Sequence, residues 1–457
     1  MKHTSKLTFH GGAGTVTGAN FLLEDKESGA KMLVDCGFFQ GRKVGEDSNR
    51  EPFPYDASSI DVLFVTHAHI DHVGRIPKLV RDGFRGVIYS TPATKEISEL
   101  MLTDSMGILG KEAREDKLQP IYEKEDVEKT MNLWQTIPYH TPVNLKGGFQ
   151  VTLKDAGHIL GSAQVSFVRA GRTLVFTGDL GNSPAPLLRD TEPLGSVQYL
   201  VMESVYGDRN HESRTERKQM LEDIIEDAVK KGGALVVPAF SLERTQELLF
   251  EINDLTEHGR IPPVPVFVDS PLAIKVTRVY KNSNGYFNDG ANDVIRSGDD
   301  IFNFPNLKFT METEESKAIK DVPNPKVIIA GSGMSNGGRI IHHEKHYLPD
   351  PKSTILLIGY QAVGTMGRLL EEGAQNVTIM GDSIPVRARI AKIRGYSAHK
   401  DSDSLVDFVR SADDGLEQVF IAMGEPKARM FLAQRLRDYL GINTTIPEEH
   451  DSVELDL

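Results

Sequence analysis

The chain has 457 residues, of which 26% are charged and 39% hydrophobic, and its formal net charge is −13. That length suits two domains with sizeable buried cores, and no stretch carries the eighteen or so consecutive apolar residues of a membrane span. The acidic balance argues against nonspecific coating of nucleic acid, so an RNA contact would need a local basic groove.

Residues 1–6 lead directly into the strand-like Leu7-Thr8-Phe9 and lack the apolar core of a signal peptide. The single cysteine, Cys36, excludes an internal disulfide and fits a reducing cytoplasm. Residues 11–18 are Gly-rich and read as a tight turn. Residues 60–65, apolar and β-branched, read as a buried strand, and residues 73–80 as a short helix. Between them, Thr66-His67-Ala68-His69-Ile70-Asp71-His72 packs three histidines and an aspartate into six positions. Alternate residues of an extended turn share a face, so His67 and His69 can hold one ion while Asp71 and His72 face a second. Imidazole and carboxylate suit zinc better than iron or manganese. A helix-rich stretch follows around residues 92–135. His158 and Asp179 each come after a strand-like run, at 149–153 and 173–178, and become further ligand candidates. A carboxylate such as Asp179 can bridge two cations.

From about residue 207 strands and helices alternate. Strands are expected at 233–237, 264–268, 326–330 and 354–358, and helices at 242–255 and 271–280. This alternation implies a mostly parallel sheet. After residue 382 the pattern reads strand, helix, strand, helix. Residues 331–338 follow a strand, and their spacing fits a plain turn as well as a phosphate cradle.

In order and spacing, His67-x-His69-x-Asp71-His72, His158 and Asp179 resemble the ligand set of the metallo-β-lactamase superfamily. Further segments resemble motifs of its β-CASP branch, nucleases of RNA processing. These are Glu203-Ser204-Val205-Tyr206-Gly207-Asp208-Arg209, residues 238–246, 331–339 and 359–365, and Gly395-Tyr396-Ser397-Ala398-His399. The similarity spans nearly the whole chain. It implies an α/β fold: a metallo-β-lactamase αββα sandwich built from residues 1–206 and 383–457, with an inserted parallel-sheet β-CASP domain at 207–382. It also implies two zinc ions, an RNA substrate and phosphodiester hydrolysis, within the RNA or from its 5′ end. Two cations about 3.5–4 Å apart can clamp a phosphate and activate water. By this resemblance Asp71 binds metal and acts as general base, His399 is the general acid, and Glu203 orients His399. Ser241, Arg244, Ser332, Ser335 and Lys400 become candidate RNA or phosphate contacts. Arg209, Arg339 and Arg368 could add to a basic groove, whereas Arg214 and Arg217 read as solvated surface charges.

One position departs from the family pattern. Residues 423–425 read Met-Gly-Glu, where the family has His-Gly-Glu and its histidine ligates the second metal. A neutral thioether is a soft, weak zinc ligand. Weaker second-metal binding and lower or altered activity are therefore expected at Met423, with His450 as a candidate substitute. Two other readings stay open. One is a catalytically weak RNA-binding scaffold, which Met423 favours. The other is a small-molecule ester or thioester hydrolase, which the long insertion argues against. Oligomeric state is open, a homodimer being one option.

Overall fold

The computed structural model describes residues 3–40, 48–359, 361–362 and 364–457. Tyr360 and Val363, within one of the motif segments, lie outside the described residues, as does the side chain of Arg214. The chain divides into two compact units. One comprises Met1–Ser183, Asp190–Asn210 and His399–Leu457, the other Pro184–Arg189 and His211–Ala398.

Among the described residues, the first unit holds two seven-stranded sheets. One runs, in spatial order, Ser452–Asp456, Thr4–Gly11, Asn20–Asp25, Lys31–Val34, Val62–Phe64, Val87–Ser90 and Trp134–Thr136. The other runs Thr444–Thr445, Gln418–Ile421, Tyr199–Met202, Arg172–Phe176, Ala163–Arg169, Gln150–Asp155 and Val143–Asn144. Period-two alternation turns one face of each sheet inward. Leu7, Phe9 and Phe64 from the first thus share a core with Phe167, Phe176 and Phe420 from the second, and each such phenylalanine contributes roughly 1.5–3 kcal/mol by burial. Helices cover both outer faces. Leu79, Leu102 and Val127 pack on the first sheet, and Leu405, Val409, Leu432 and Leu436 on the second. The result is the expected αββα layering.

Strand direction sets where the chemistry falls. Arg172–Phe176, Tyr199–Met202 and Gln418–Ile421 are mutually parallel, and Gln150–Asp155 runs the same way. The segments bearing His158, Asp179, Glu203 and Met423 therefore all leave one edge of the sheet.

In the second unit six strands follow the order Leu307–Phe309, Val266–Asp269, Lys326–Ala330, Ala234–Pro238, Thr354–Ile358 and Arg389–Ile393. Every pairing is parallel. The strands at 326–330, 234–238 and 354–358 are buried along their whole length, as parallel strands covered on both faces must be. The break expected after residue 382 falls too early. Arg389–Ile393 pairs with Thr354–Ile358, and its exposed Arg389 and Lys392 guard the sheet edge with charge. Among the described residues, no helix is long and apolar enough to cross a membrane.

Candidate functional site

The His-rich turn follows the strand Val62–Phe64 and enters the short helix Ile70–Val73. Its backbone is held by close approach. Ala19 N–H donates to the Asp71 carbonyl at 3.0 Å, and a Cβ on Gly37 would lie 1.5 Å from that same oxygen, so only glycine fits there.

Four ligand atoms converge from three segments. His69 Nδ1 lies 3.1 Å from His67 Nε2 and 3.2 Å from His158 Nε2. Asp179 Oδ2 is 3.4 Å from His67 Nε2 and 3.5 Å from His158 Nε2. A tetrahedron with zinc–nitrogen bonds of 2.0–2.1 Å has edges of about 3.3–3.4 Å, which matches this spacing. Burial, reinforced by the neighbouring imidazoles, holds His69 and His158 well below the ordinary histidine range, so both rings are neutral, as ligation requires. Burial alone would raise the Asp179 carboxyl, but the imidazoles of His72, His67 and His399 hold it well below the usual range.

The other oxygen of Asp179 faces a second set. Oδ1 lies 3.5 Å from His72 Nε2, and these two buried atoms have no hydrogen-bond partner among the described residues. Such orphaned atoms call for an explanation, and an ion supplies one. The far side of the His72 ring is fixed: Nδ1–H donates to Asp35 Oδ2 at 2.7 Å. Asp35 is itself held by the backbone N–H and hydroxyl of Thr66, at 2.8 and 2.7 Å. This carboxylate–histidine arrangement fixes the tautomer and aims Nε2 at the centre. Burial pushes the Asp71 carboxyl up, against the pull of His72.

His399 and Glu203 form a dyad beside the cluster. His399 Nδ1 lies 3.1 Å from both oxygens of Glu203, and Glu203 also accepts the Leu180 N–H at 2.6 Å. Burial would lower His399, but the carboxylates of Glu203 and Asp179 outweigh it and push the ring up to about 9.

Residues 14–239 match the metallo-beta-lactamase superfamily, 245–370 the Beta-Casp domain, and 383–447 the Zn-dependent metallo-hydrolase RNA specificity domain. Ribonuclease TTHA0252 of Thermus thermophilus is 36% identical over 93% of this chain and 94% of its own. The chain belongs to the β-CASP family of the metallo-β-lactamase superfamily. Transcription termination factor FttA of Methanosarcina mazei is 30% identical, covering 98% of this chain and 71% of that protein. An RNase J-like protein of Methanocaldococcus jannaschii is 30% identical over 96% and 97%. A crystal structure of a protein of unknown function from Enterococcus faecalis V583 shares the fold, with a TM-score of 0.55 at 12% identity over 99% of this chain and 100% of that one. The family is one of zinc-dependent metallo-hydrolases, and the His67, His69, His158 and Asp179 cluster is suited to such an ion.

Where the resemblance led to an expected histidine, Met423 is 3% exposed and packs in the inter-sheet core. It borders a small cavity shared with Asp35, Thr66, His72 and Glu203. A Cβ on Gly12 would come within 2.5 Å of its Sδ, so the thioether rests on the Gly-rich loop. Its backbone adopts φ +42°, a left-handed conformation that costs a non-glycine residue roughly 1–2 kcal/mol. His450 joins neither metal-competent cluster among the described residues. Its side chain is 60% exposed and its ring lies 5.8 Å from that of His10.

The expected RNA contacts separate into two groups. Ser241 and Ser270 pair at 3.0 Å beyond the ends of the two strands that flank Lys326–Ala330, with Gly331 beside both. Ser332 Oγ accepts the Asn336 N–H at 3.2 Å and is partly exposed. The remaining candidates are committed elsewhere. Ser335 is buried and its hydroxyl donates to Glu344 at 2.6 Å. Arg244 is buried, paired with Glu247 and bonded to the Tyr396 carbonyl. Arg339 donates to Asp269 at 2.7 Å and to the carbonyls of Thr310 and Met311. Lys400 is also buried. Arg217, expected at the surface, is 3% exposed and bound to Glu251 at 2.9 Å and to the Gly395 carbonyl at 2.7 Å. For Arg217, Arg244 and Arg339 the decisive partners are acids or carbonyls far away in sequence. Asp35 and Ser270 were missed, although each directly follows a strand, the position where ligand-bearing loops begin.

Proposed function

We propose that this chain is a zinc-dependent ribonuclease that hydrolyses RNA phosphodiester bonds. The observation that carries the reading is Asp179, one oxygen of which faces His67 and His158 while the other faces His72. His67, His69, His158 and Asp179 would hold one zinc, and Asp71, His72 and Asp179 a second. When bound, the ions would supply Lewis acidity at the phosphate and lower the pKa of the attacking water. Asp71 stands at the second set as general base. Glu203 accepts the His399 Nδ1–H, which leaves the opposite ring nitrogen to carry a proton to the leaving ribose oxygen. Ser241, with Ser270, and Ser332 are the phosphate contacts of the insertion. The name of the Thermus relative, a ribonuclease similar along nearly its whole length, supports RNA as the substrate.

Met423 removes one nitrogen from the second set. We expect that zinc to bind more weakly than the first. A silent RNA-binding scaffold is the second reading, and Met423 is the residue that favours it. End-labelled RNA, bis-p-nitrophenyl phosphate and a thioester should be compared as substrates. RNA cleavage that Asp71→Asn abolishes is the expected result. Turnover of the thioester alone would overturn the reading.

A further inference from the structure

We propose that Lys400 is a positioning residue for His399, its buried ammonium clipping the loop that holds the imidazole in place. Lys400 Nζ donates to the Gly181 carbonyl at 2.8 Å and to Ser183 Oγ at 3.1 Å. Its backbone N–H donates to the Leu180 carbonyl at 2.8 Å. The same short loop serves three other parts of the site. Asp179 begins it. The Leu180 N–H anchors Glu203. Gly181 pairs with His399 in an antiparallel bridge and donates its N–H to Ala156, two residues before His158, at 2.9 Å. A Cβ on Gly181 would lie 1.8 Å from the Gly157 carbonyl, so the loop has no room to shift in that direction.

An ordinary solvated lysine at a helix start does not fit these contacts. Lys400 is 6% exposed, and it immediately precedes Asp401, the N-cap of the helix Ser402–Arg410. A cation there opposes the helix dipole, and burying an ammonium is unfavourable unless it is well bonded. Burial lowers its pKa, against the carboxylates of Asp190, Glu203 and Asp401. The loop that anchors Glu203 and pairs with His399 is what the ammonium ties down. Without it, the Gly181 carbonyl and the Ser183 hydroxyl lose that donor, and His399 loses the rigidity of its backbone partner.

The proposal rests on His399 being the general acid, and the test separates the two. Lys400→Met and His399→Ala are assayed in the zinc-loaded full chain on RNA and on bis-p-nitrophenyl phosphate, whose leaving group departs without a proton. Lys400→Met should lower kcat on RNA by roughly tenfold or more at unchanged KM and zinc content, while sparing the aryl ester. His399→Ala should show the same selectivity with a larger loss. A Lys400→Met variant with raised KM, weakened salt dependence and retained kcat would overturn the proposal in favour of an RNA contact. Equal losses on both substrates from Lys400→Met alone would overturn it in favour of general support of the fold. Equal losses from His399→Ala would instead remove the general-acid reading. If Lys400→Met fails to fold, Ser183→Ala deletes one acceptor and keeps the lysine. It should give a smaller loss with the same substrate selectivity, and unchanged kcat on RNA would overturn the proposal.

Discussion

Replacing Glu344 by glutamine should stabilise the second unit at about pH 8 and leave its stability nearly unchanged at about pH 4. Glu344 is fully buried on the helix Ile340–Tyr347. One oxygen accepts the Ser335 hydroxyl, and the other has no hydrogen-bond partner among the described residues. Burial pushes the carboxyl from 4.5 up to about 7. In the unfolded chain the proton leaves near the lower value, in the folded chain near the higher. Between the two, the folded state binds more protons, so stability falls as pH rises through this window and levels off above it. A gap of about two and a half units corresponds to about 3 kcal/mol. Glutamine keeps an acceptor for Ser335 and cannot ionise. Thermal unfolding of both proteins at each pH measures the difference, and for a unit of this size 3 kcal/mol is on the order of 6–12 °C. The same offset at both pH values, or a less stable Glu344→Gln at the higher one, would refute the assignment of a strained buried carboxylate.

Asp35→Ala should weaken zinc retention by roughly 10–100-fold, measured by competition with a chelator, because His72 loses the acceptor that fixes its tautomer; unchanged affinity would mean that Asp35 does not orient the ring. Arg217→Ala leaves the Glu251 carboxylate buried without its cation, keeping only the Tyr396 hydroxyl, and should cost about 3–5 kcal/mol in unfolding experiments, against a few tenths for the surface arginine expected from sequence. Ser335→Ala should leave KM for RNA unchanged, since the hydroxyl faces Glu344, whereas Ser332→Ala should raise it. A rise for Ser335→Ala would return that residue to the phosphate contacts.

The candidate metal ligands stand out in the sequence because their chemistry is local. His67, His69, Asp71 and His72 lie within one turn after an apolar strand, and His158 and Asp179 repeat that strand-end placement. The parallel strands at 326–330 and 354–358 were legible as unbroken apolar runs, the mark of a sheet covered on both faces. Asp35 was not, because only folding brings it to His72, 37 positions away. Arg217, Arg244 and Lys400 were misplaced for a related reason. Their partners are backbone carbonyls or buried acids, and a carbonyl leaves no trace in the sequence that contacts it. The extent of the insertion was hidden by Arg389-Ile390-Ala391-Lys392-Ile393, whose two exposed charges, Arg389 and Lys392, mark an edge strand and carry no sign of the sheet it joins.

Zinc per chain, measured on the same samples as cleavage of end-labelled RNA, should be compared between this protein and Met423→His. Histidine tolerates the left-handed backbone at this position better than most residues, and it restores a nitrogen donor. The original chain should keep one zinc through dialysis, lose the second, and need added zinc for full RNA cleavage, while Met423→His keeps both and cleaves without supplement. Two equally tight zinc ions in the original chain would contradict the weakened second site, and RNA cleavage that survives complete zinc removal would contradict the metal-dependent ribonuclease itself.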